Sequence, residues 1–272
     1  MAGECGCSGS AVDDFKVNVV VDAGIGTLHW QGTVDQKTLD EAVSLAADDA
    51  LIGHELHRVE ASITADDLMA MRALHRAGFR REGRRRQAVR ADDGSWHDAL
   101  LYARLIDDQV YGAGGFTAVM DTVMATHRLI GHVLIRDERG RVLFVETTYK
   151  EDWELPGGIV EAGESPRVGA ERELREELGV DIRLNQPLVA DWMPPYLGWR
   201  DAMEFIFDGG QLPSSTVQRF ERPAQEIRSY HWVAPEEIAE HVTPLSARRL
   251  ALLVAGIAPA YTEAGSPVTP DA

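Results

Sequence analysis

The 272-residue chain contains few cysteines and no long apolar run. Its two cysteines, Cys5 and Cys7, lie together in a polar stretch, and two cysteines alone complete neither a tetrahedral zinc site nor a disulfide framework. No run of about 18 apolar residues occurs, so no transmembrane helix is expected. Residues 1–14 lack a basic start and an apolar core, which excludes a secretory signal and favours a cytoplasmic location.

Basic residues are also scarce, since 27 Lys and Arg face 44 Asp and Glu, for a formal net charge of −17. Nucleic acid is therefore not an expected partner, because phosphate contacts require a basic surface. The arginines between residues 76 and 90 are a local exception. Alternate strand positions send their side chains to two faces, which favours a solvated surface over a phosphate or RNA site. A membrane partner is not expected, and a homodimer stays open.

The chain is long enough for two domains, and 44% apolar with 26% charged residues is typical of a globular protein. We predict a tail at 1–14, a first domain at 15–105, a glycine-containing linker at 106–117, a second domain at 118–260 and a polar tail at 261–272. Apolar patterns predict strands at 15–21, 27–31, 58–63, 81–90, 96–105, 127–135, 141–146, 182–192, 203–207 and 227–233. Helices are predicted at 38–50, 66–77, 165–178 and 246–256.

One acidic helix stands out within residues 157–180, GGIVEAGESPRVGAERELREELGV. Glu173, Glu176 and Glu177 are spaced i, i+3, i+4, so a helix places their carboxylates on one face. Three like charges are unfavourable without a cation, and a hard divalent metal that takes oxygen ligands relieves the repulsion. The alternative is an acidic, solvated helix face with Arg–Glu pairs.

The spacing of fixed residues in this segment is more specific than the acidic face alone. From Gly158 the pattern is G-x5-E-x7-R-E-U-x-E-E-x-G-U, where U is a bulky aliphatic residue. The positions are filled by Gly158, Glu164, Arg172, Glu173, Leu174, Glu176, Glu177, Gly179 and Val180. This segment resembles the Nudix box, the motif of Nudix hydrolases, and the fixed distances favour that interpretation over a plain acidic helix.

The resemblance implies an α/β fold: a Nudix α/β/α sandwich with a mixed sheet, in which a strand, loop and helix form the metal site. It also implies a reaction, the Mg²⁺- or Mn²⁺-dependent hydrolysis of a nucleoside diphosphate linked to a second moiety, X. By position, the metal ligands would be Glu173, Glu176, Glu177 and the Gly157 carbonyl. The catalytic residues would be Glu173, Arg172, which orients the glutamates, Glu164, which braces the loop, and Glu226 as general base. Glu221 and Glu204 are alternatives for the base.

The substrate is expected to be a small nucleotide derivative, because residues 181–260 contain no basic run. Trp192, Tyr196 and Trp199 are candidates to stack on a base. An equally good alternative places Trp192 at the end of a strand in the core, with Pro194 and Pro195 stiffening a loop.

The first domain has a resemblance of its own over residues 57–105. The segments RVEA at 58–61, GF at 78–79, EG at 82–83 and the Asp98 to Tyr102 spacing are similar to the C-terminal half of a GNAT-type N-acetyltransferase. Asp67 and Ala70 replace the Asn and Ser of that family, and residues 31–40 lack the glycines of its acetyl-CoA loop. We therefore expect a smaller α+β partial domain that is inactive as an acetyltransferase.

Three functions follow as hypotheses. The leading one is a Mg²⁺-dependent Nudix hydrolase with an accessory first domain. The alternatives are a nucleotide-sensing Nudix module without useful turnover and a bifunctional acetyltransferase–hydrolase. Glu171 lies on the acidic helix outside the fixed pattern, and its replacement by Gln is expected to lower turnover less than about threefold.

Overall fold

The computed structural model describes residues 15–196, 198–220 and 225–268. Cys5, Cys7 and Glu221 lie outside these residues. The chain divides into two compact units, residues 1–125 and 126–272, which are described separately. Within the described ranges, no helix is long and apolar enough to cross a membrane.

The first unit is a five-stranded mixed sheet with three helices among its described residues. In chain order its strands and α-helices are β1 (Val17–Asp22), β2 (Ile25–Trp30), α1 (Gln36–Asp48), β3 (Arg58–Thr64), α2 (Leu68–Arg76), β4 (Arg80–Arg90), β5 (Trp96–Leu105) and α3 (Gly112–Val123). The strand order is β1-β2-β3-β5-β4, with β2 and β3 parallel and the other neighbours antiparallel. Apolar residues of α1 and α2, including Val43 and Leu74, pack with Val59 and Phe79 in one core.

The segment between the units differs from the predicted linker at 106–117. Helix α3 begins at Gly112 and packs on β4, and the Arg81 N–H donates to Thr122 Oγ1 at 3.1 Å. A Cβ at Gly115 would lie 2.4 Å from the Val110 carbonyl oxygen, so a glycine is required for close packing. Gly115, which belongs to the predicted linker, therefore allows a helix to pack closely. The division between the two units falls after Ala125.

The second unit is built on an eight-stranded mixed sheet. Its strands and α-helices are β6 (Arg128–Arg136), β7 (Val142–Thr147), β8 (Gly157–Ile159), α4 (Pro166–Leu178), β9 (Pro187–Met193), β10 (Ala202–Gln211), β11 (Ile227–Val233), α5 (Pro244–Val254), β12 (Tyr261–Glu263) and β13 (Ser266–Pro267). The strand order is β11-β7-β6-β10-β9-β12-β13, and β8 pairs with β6. The β6–β10 and β9–β12 pairs are parallel, and the remaining pairs are antiparallel.

Side chains of β6 alternate between the two faces of this sheet, as the pleat requires. Val133 packs with Leu174 of α4, whereas Leu134 packs with Leu250 of α5. Both clusters are buried, so each helix covers one face. The predicted α/β/α sandwich with a mixed sheet is confirmed, as is the smaller α+β first unit.

The C-terminal segment also differs from its prediction, because residues 261–267 of the polar tail form β12 and β13. Thr262 is fully buried, and its hydroxyl donates to Asp191 Oδ1 at 2.6 Å. The polar composition concealed a strand whose inward side chain bonds to a buried carboxylate.

Candidate active site

The loop before α4 is built around Gly157, the first residue of β8. Gly157 has φ of +129°, and a Cβ there would lie 2.2 Å from the Gly131 carbonyl oxygen. Only glycine fits this position. The Gly157 N–H donates to Glu177 Oε2 at 2.8 Å, which fixes the last glutamate of the acidic helix against the loop.

Capping residues define both ends of α4, which lie within a residue of the predicted helix at 165–178. The Ser165 hydroxyl accepts from the Val168 N–H at 3.4 Å, and Pro166 occupies the first turn. Gly179 ends the helix in the left-handed conformation, with φ of +68°.

Arg172 connects the helix to the loop through its guanidinium group. Its Nη1 donates to Glu173 Oε1 and to Glu176 Oε2, both at 2.9 Å. Its Nη2 donates to Glu164 Oε1 at 2.8 Å and to the Ile159 carbonyl at 3.1 Å. The Glu164 carboxylate also accepts from the Glu161 N–H at 2.7 Å. Arg172 thus holds two glutamates of the helix and one of the loop in place.

The electrostatics of the site are those of crowded, desolvated carboxylates. Burial raises the pKa of Glu177 to about 8, and the carboxylates of Glu173, Glu154 and Glu226 add to this, while the Gly157 N–H opposes it. Burial also raises the pKa of Glu173, against the effect of Arg172. A nearby cation would relieve both shifts.

The site residues fit a hard divalent ion by donor chemistry. Among the described residues, no three His, Cys, Asp or Glu side chains are already grouped as metal ligands, and Arg172 engages both Glu173 and Glu176. The oxygens present are nonetheless those that Mg²⁺ and Mn²⁺ prefer. A Cβ at Gly158 would lie 3.0 Å from Glu173 Oε1, so glycine leaves room beside this carboxylate.

The three candidates for the general base are placed differently. Glu226 is exposed and directly precedes β11. Its backbone carbonyl accepts from the Thr148 N–H at 2.9 Å. Its carboxylate is close enough to Glu177 to raise the pKa of that residue. Glu204 is 2% exposed and engaged by other side chains, and Glu221 lies outside the described residues.

A pocket of about 400 Å³ lies between the start of β6 and the segment that precedes β10. Trp199 and Arg128 line it, with the guanidinium carbon 4.9 Å from the indole centroid. The neighbouring residue of β6, Leu129, accepts from the Val160 N–H at 3.0 Å, which ties this strand to the loop that precedes α4.

The other two predicted aromatic residues flank this pocket in sequence. Tyr196 is exposed and exchanges two backbone hydrogen bonds with Trp199, at 3.1 and 2.9 Å. Trp192 is half-buried on β9, opposite Met203 of β10. Trp199 is thus the predicted stacking residue that lines the pocket.

Glu171 has a structural role that its place outside the fixed pattern did not indicate. This residue is 3% exposed, and its carboxylate accepts from Arg167 at 2.6 Å, from the Leu184 N–H at 2.9 Å and from Arg183 at 3.3 Å. Glu171 faces the protein interior and holds the segment that follows α4 through its bonds with Arg183 and Leu184.

Sequence reasoning also missed a buried array of charges between the sheet and α5. Its members, all buried, are Asp191, Arg249, Glu204 and His132. Single charged residues within apolar stretches, such as Glu204 in AMEFIF, were the available indication.

In the first unit, the Asp35 carboxylate caps the N-terminus of α1, where the pyrophosphate of acetyl-CoA would have to bind. Its carboxylate accepts from the Lys37 N–H at 2.9 Å and the Thr38 N–H at 3.1 Å at the start of α1. Asp67 likewise caps α2 through the Ala70 N–H at 2.9 Å. These carboxylates satisfy amides that would otherwise be free to bind an anion.

Comparisons with known proteins agree with the two resemblances. The NUDIX domain family model matches residues 125–253. A CMP-5'-(N-acetyl-N-hydroxy-3-aminopropyl)phosphonate hydrolase of Streptomyces rubellomurinus is 33% identical, over 53% of this chain and 68% of that protein. An 8-oxo-dGTP diphosphatase of Haemophilus influenzae is 39% identical, over 36% of this chain and 91% of that protein.

The first unit has a relative of another kind. The probable N-acetyltransferase YjcK of Bacillus subtilis is 40% identical over 70 residues, which are 26% of this chain and 38% of that protein. The similarity to GNAT acetyltransferases therefore covers only part of such an enzyme.

Together with the complete box on α4, the family model and the two hydrolase relatives show that the chain belongs to the Nudix hydrolase family and is a Nudix pyrophosphohydrolase.

Proposed function

We propose that the second unit hydrolyses the diphosphate bond of a small nucleoside diphosphate linked to a moiety X, in the presence of Mg²⁺ or Mn²⁺. The observation that carries this proposal is the carboxylate cluster of Glu173 and Glu177, which Gly157 and Arg172 hold in place. Two of the relatives act on nucleotides, by their names a CMP-linked phosphonate and 8-oxo-dGTP.

In this proposal Glu173, Glu176, Glu177 and the Gly157 carbonyl would hold the metal. When bound, the ion binds phosphate oxygens and lowers the pKa of the attacking water. Arg172 orients the glutamates by charge-assisted hydrogen bonds, and Glu164 braces the loop through Arg172.

Glu226 is the candidate that accepts a proton from the water, because its exposed carboxylate lies near Glu177. Glu204 is unsuited to this role, because its carboxylate is paired with Arg249 and His132 in the protein interior.

The pocket between β6 and the segment that precedes β10 is the candidate site for the base. Trp199 offers an exposed aromatic face, and Arg128 adds a cation for stacking or for a phosphate. Tyr196 and Trp192 complete the set of candidate contacts on the same segment. The size of the pocket suits a small nucleotide, and neither a nucleic acid nor a membrane partner is proposed.

The test is turnover of a panel of nucleoside triphosphates, nucleotide sugars, dinucleotides and prenyl diphosphates with Mg²⁺. We expect phosphate or pyrophosphate release that is lost in Glu177→Gln and kept in Glu237→Gln, a matched change at an exposed glutamate of the same unit. Tight nucleotide binding without turnover of any panel member would favour the sensing module instead.

We infer that the first unit is an accessory domain that lacks acetyltransferase activity. The supporting observation is Asp35, which takes the amides at the start of α1 and places a negative charge there. Calorimetry with acetyl-CoA should detect no binding. Micromolar binding would support the bifunctional hypothesis. The cytoplasmic location and a homodimer stay predictions.

A further inference from the structure

A line of buried polar side chains runs across three neighbouring strands, from Asp191 on β9 through Glu204 on β10 to His132 on β6, with Arg249 of α5 between the first two. Arg249 Nη1 donates to Asp191 Oδ2 at 2.5 Å, and Arg249 Nη2 lies 2.7 Å from Glu204 Oε2. Glu204 Oε1 lies 2.8 Å from His132 Nδ1. The side chains of Asp191, Arg249 and Glu204 are at most 4% exposed, and that of His132 is 10% exposed.

This array orients the His132 ring. Burying charged groups is costly, and well-packed apolar residues often replace such groups without loss of stability. The Nδ1 atom is engaged by Glu204, which is itself anchored by Arg249. The other ring nitrogen, Nε2, therefore faces the opposite direction, where Glu154 Oε2 lies 3.9 Å away.

Glu154 lies three residues before Gly157, the first residue of β8. Its backbone pairs with Val145, with N–H to carbonyl distances of 2.8 and 3.1 Å. Its carboxylate is 24% exposed and is contacted by Lys150 Nζ and by the Tyr149 hydroxyl, the latter at 3.3 Å. The same carboxylate raises the pKa of Glu177, so Glu154 is near the proposed reaction centre.

The separation of His132 Nε2 and Glu154 Oε2 is too long for a direct hydrogen bond, yet one oxygen atom at about 2.8 Å from each would fit between them. A hydroxyl suits this position because it donates to the carboxylate and, when both nitrogens of the His132 ring carry a proton, accepts from the Nε2–H. A phosphate oxygen without a proton only accepts, so it has no hydrogen to donate to the Glu154 carboxylate.

We propose that His132 and Glu154 bind a hydroxyl group of the substrate, and thereby select substrates that carry a sugar hydroxyl beside the diphosphate. This inference rests on the proposed function and names the specificity within it. The hydroxyl is that of the nucleoside ribose or that of a sugar in the X moiety, and the two sources are separated by experiment. An analogue without the hydroxyl leaves Nε2 of the nearly buried His132 ring without that hydrogen-bond partner.

The experiment has two substrate arms. The first compares ADP-ribose with its analogue that lacks the 2′-hydroxyl of the adenosine ribose, and CDP with 2′-deoxy-CDP. The second compares UDP-glucose with UDP-2-deoxyglucose. For each pair we measure kcat and KM with Mg²⁺, and binding to Glu177→Gln by calorimetry, which requires no turnover. We expect a preference of about 10–100-fold for the hydroxyl compound in one arm, mainly in KM.

Two variants at His132 distinguish the roles of the two ring nitrogens. In His132→Asn the amide keeps a donor for Glu204 but loses the group at Nε2, whereas His132→Gln reaches towards Nε2 and releases Glu204. We expect His132→Asn and Glu154→Ala to reduce the preference to less than about threefold with little loss of stability. His132→Gln should keep part of the preference and melt earlier. Glu151→Ala, an exposed neighbour, should keep the full preference.

Two results would overturn this inference. One is turnover or binding with no preference in either arm. The other is a preference that survives in both His132→Asn and Glu154→Ala. A hydroxyl preference in binding without any turnover would support the inference while refuting the proposed hydrolysis, so the two failures are distinguishable.

Discussion

Glu177→Gln should stabilise the metal-free protein and at the same time abolish most of its activity. The pKa of Glu177 is raised from 4.5 to about 8, mainly by burial, so folding disfavours the ionised carboxylate. The Gln side chain keeps an oxygen that can accept the Gly157 N–H and removes the charge. Stability and turnover should therefore change in opposite directions.

The size of the stability change depends on pH. Below pH 4.5 the Glu177 carboxyl is protonated in the folded and the unfolded protein, so it does not lower the free energy of unfolding. Between pH 4.5 and about 8 the unfolded chain ionises while the folded protein keeps the proton, so the free energy of unfolding of the wild type falls by about 1.4 kcal/mol per pH unit relative to the variant. At pH 7 the variant should be more stable by about 3 kcal/mol.

The assay is urea unfolding of both proteins in chelator at several pH values, with initial rates in saturating Mg²⁺. Loss of one metal ligand should remove about 3–5 kcal/mol of transition-state stabilisation, a decrease in rate of about 10²–10⁴-fold. Glu237→Gln is the control and should change neither quantity. A variant no more stable than the wild type at pH 7 in chelator, or one with full turnover, would refute the reasoning.

Three further variants test the surroundings of the site. Glu171→Gln should lower the free energy of unfolding by about 1–3 kcal/mol in urea and leave kcat within about threefold, because its carboxylate pins the chain after α4. Gly157→Ala should reduce initial rates by at least about 100-fold, since its Cβ would meet the Gly131 carbonyl oxygen and displace the loop. Glu204→Gln should cost about 3 kcal/mol in urea at pH 7 by weakening its pair with Arg249. The stabilisation by Glu204 is complete above pH 4.5 and is lost as the pH falls towards about 2, so the two proteins should converge in acid.

The sequence by itself determined the features that depend on short-range spacing. The helical repeat predicted that Glu173, Glu176 and Glu177 share one helix face, and the helix predicted at 165–178 agrees with α4 within a residue. Capping, helical periodicity and strand alternation act over a few residues, so they can be inferred without knowledge of the fold. The family pattern of fixed residues is local in the same sense.

Only the tertiary structure decided which polar residues are buried and with what partners. Glu171 meets Leu184 across a loop, and Glu204 meets Arg249 from a distant helix. Likewise, strand β12 forms because Thr262 reaches a buried carboxylate on β9. These interactions join residues far apart in the chain, and the free energy of a buried charge depends on the partner that the fold supplies. The sequence shows that such charges exist, whereas their roles follow from contacts that only folding creates.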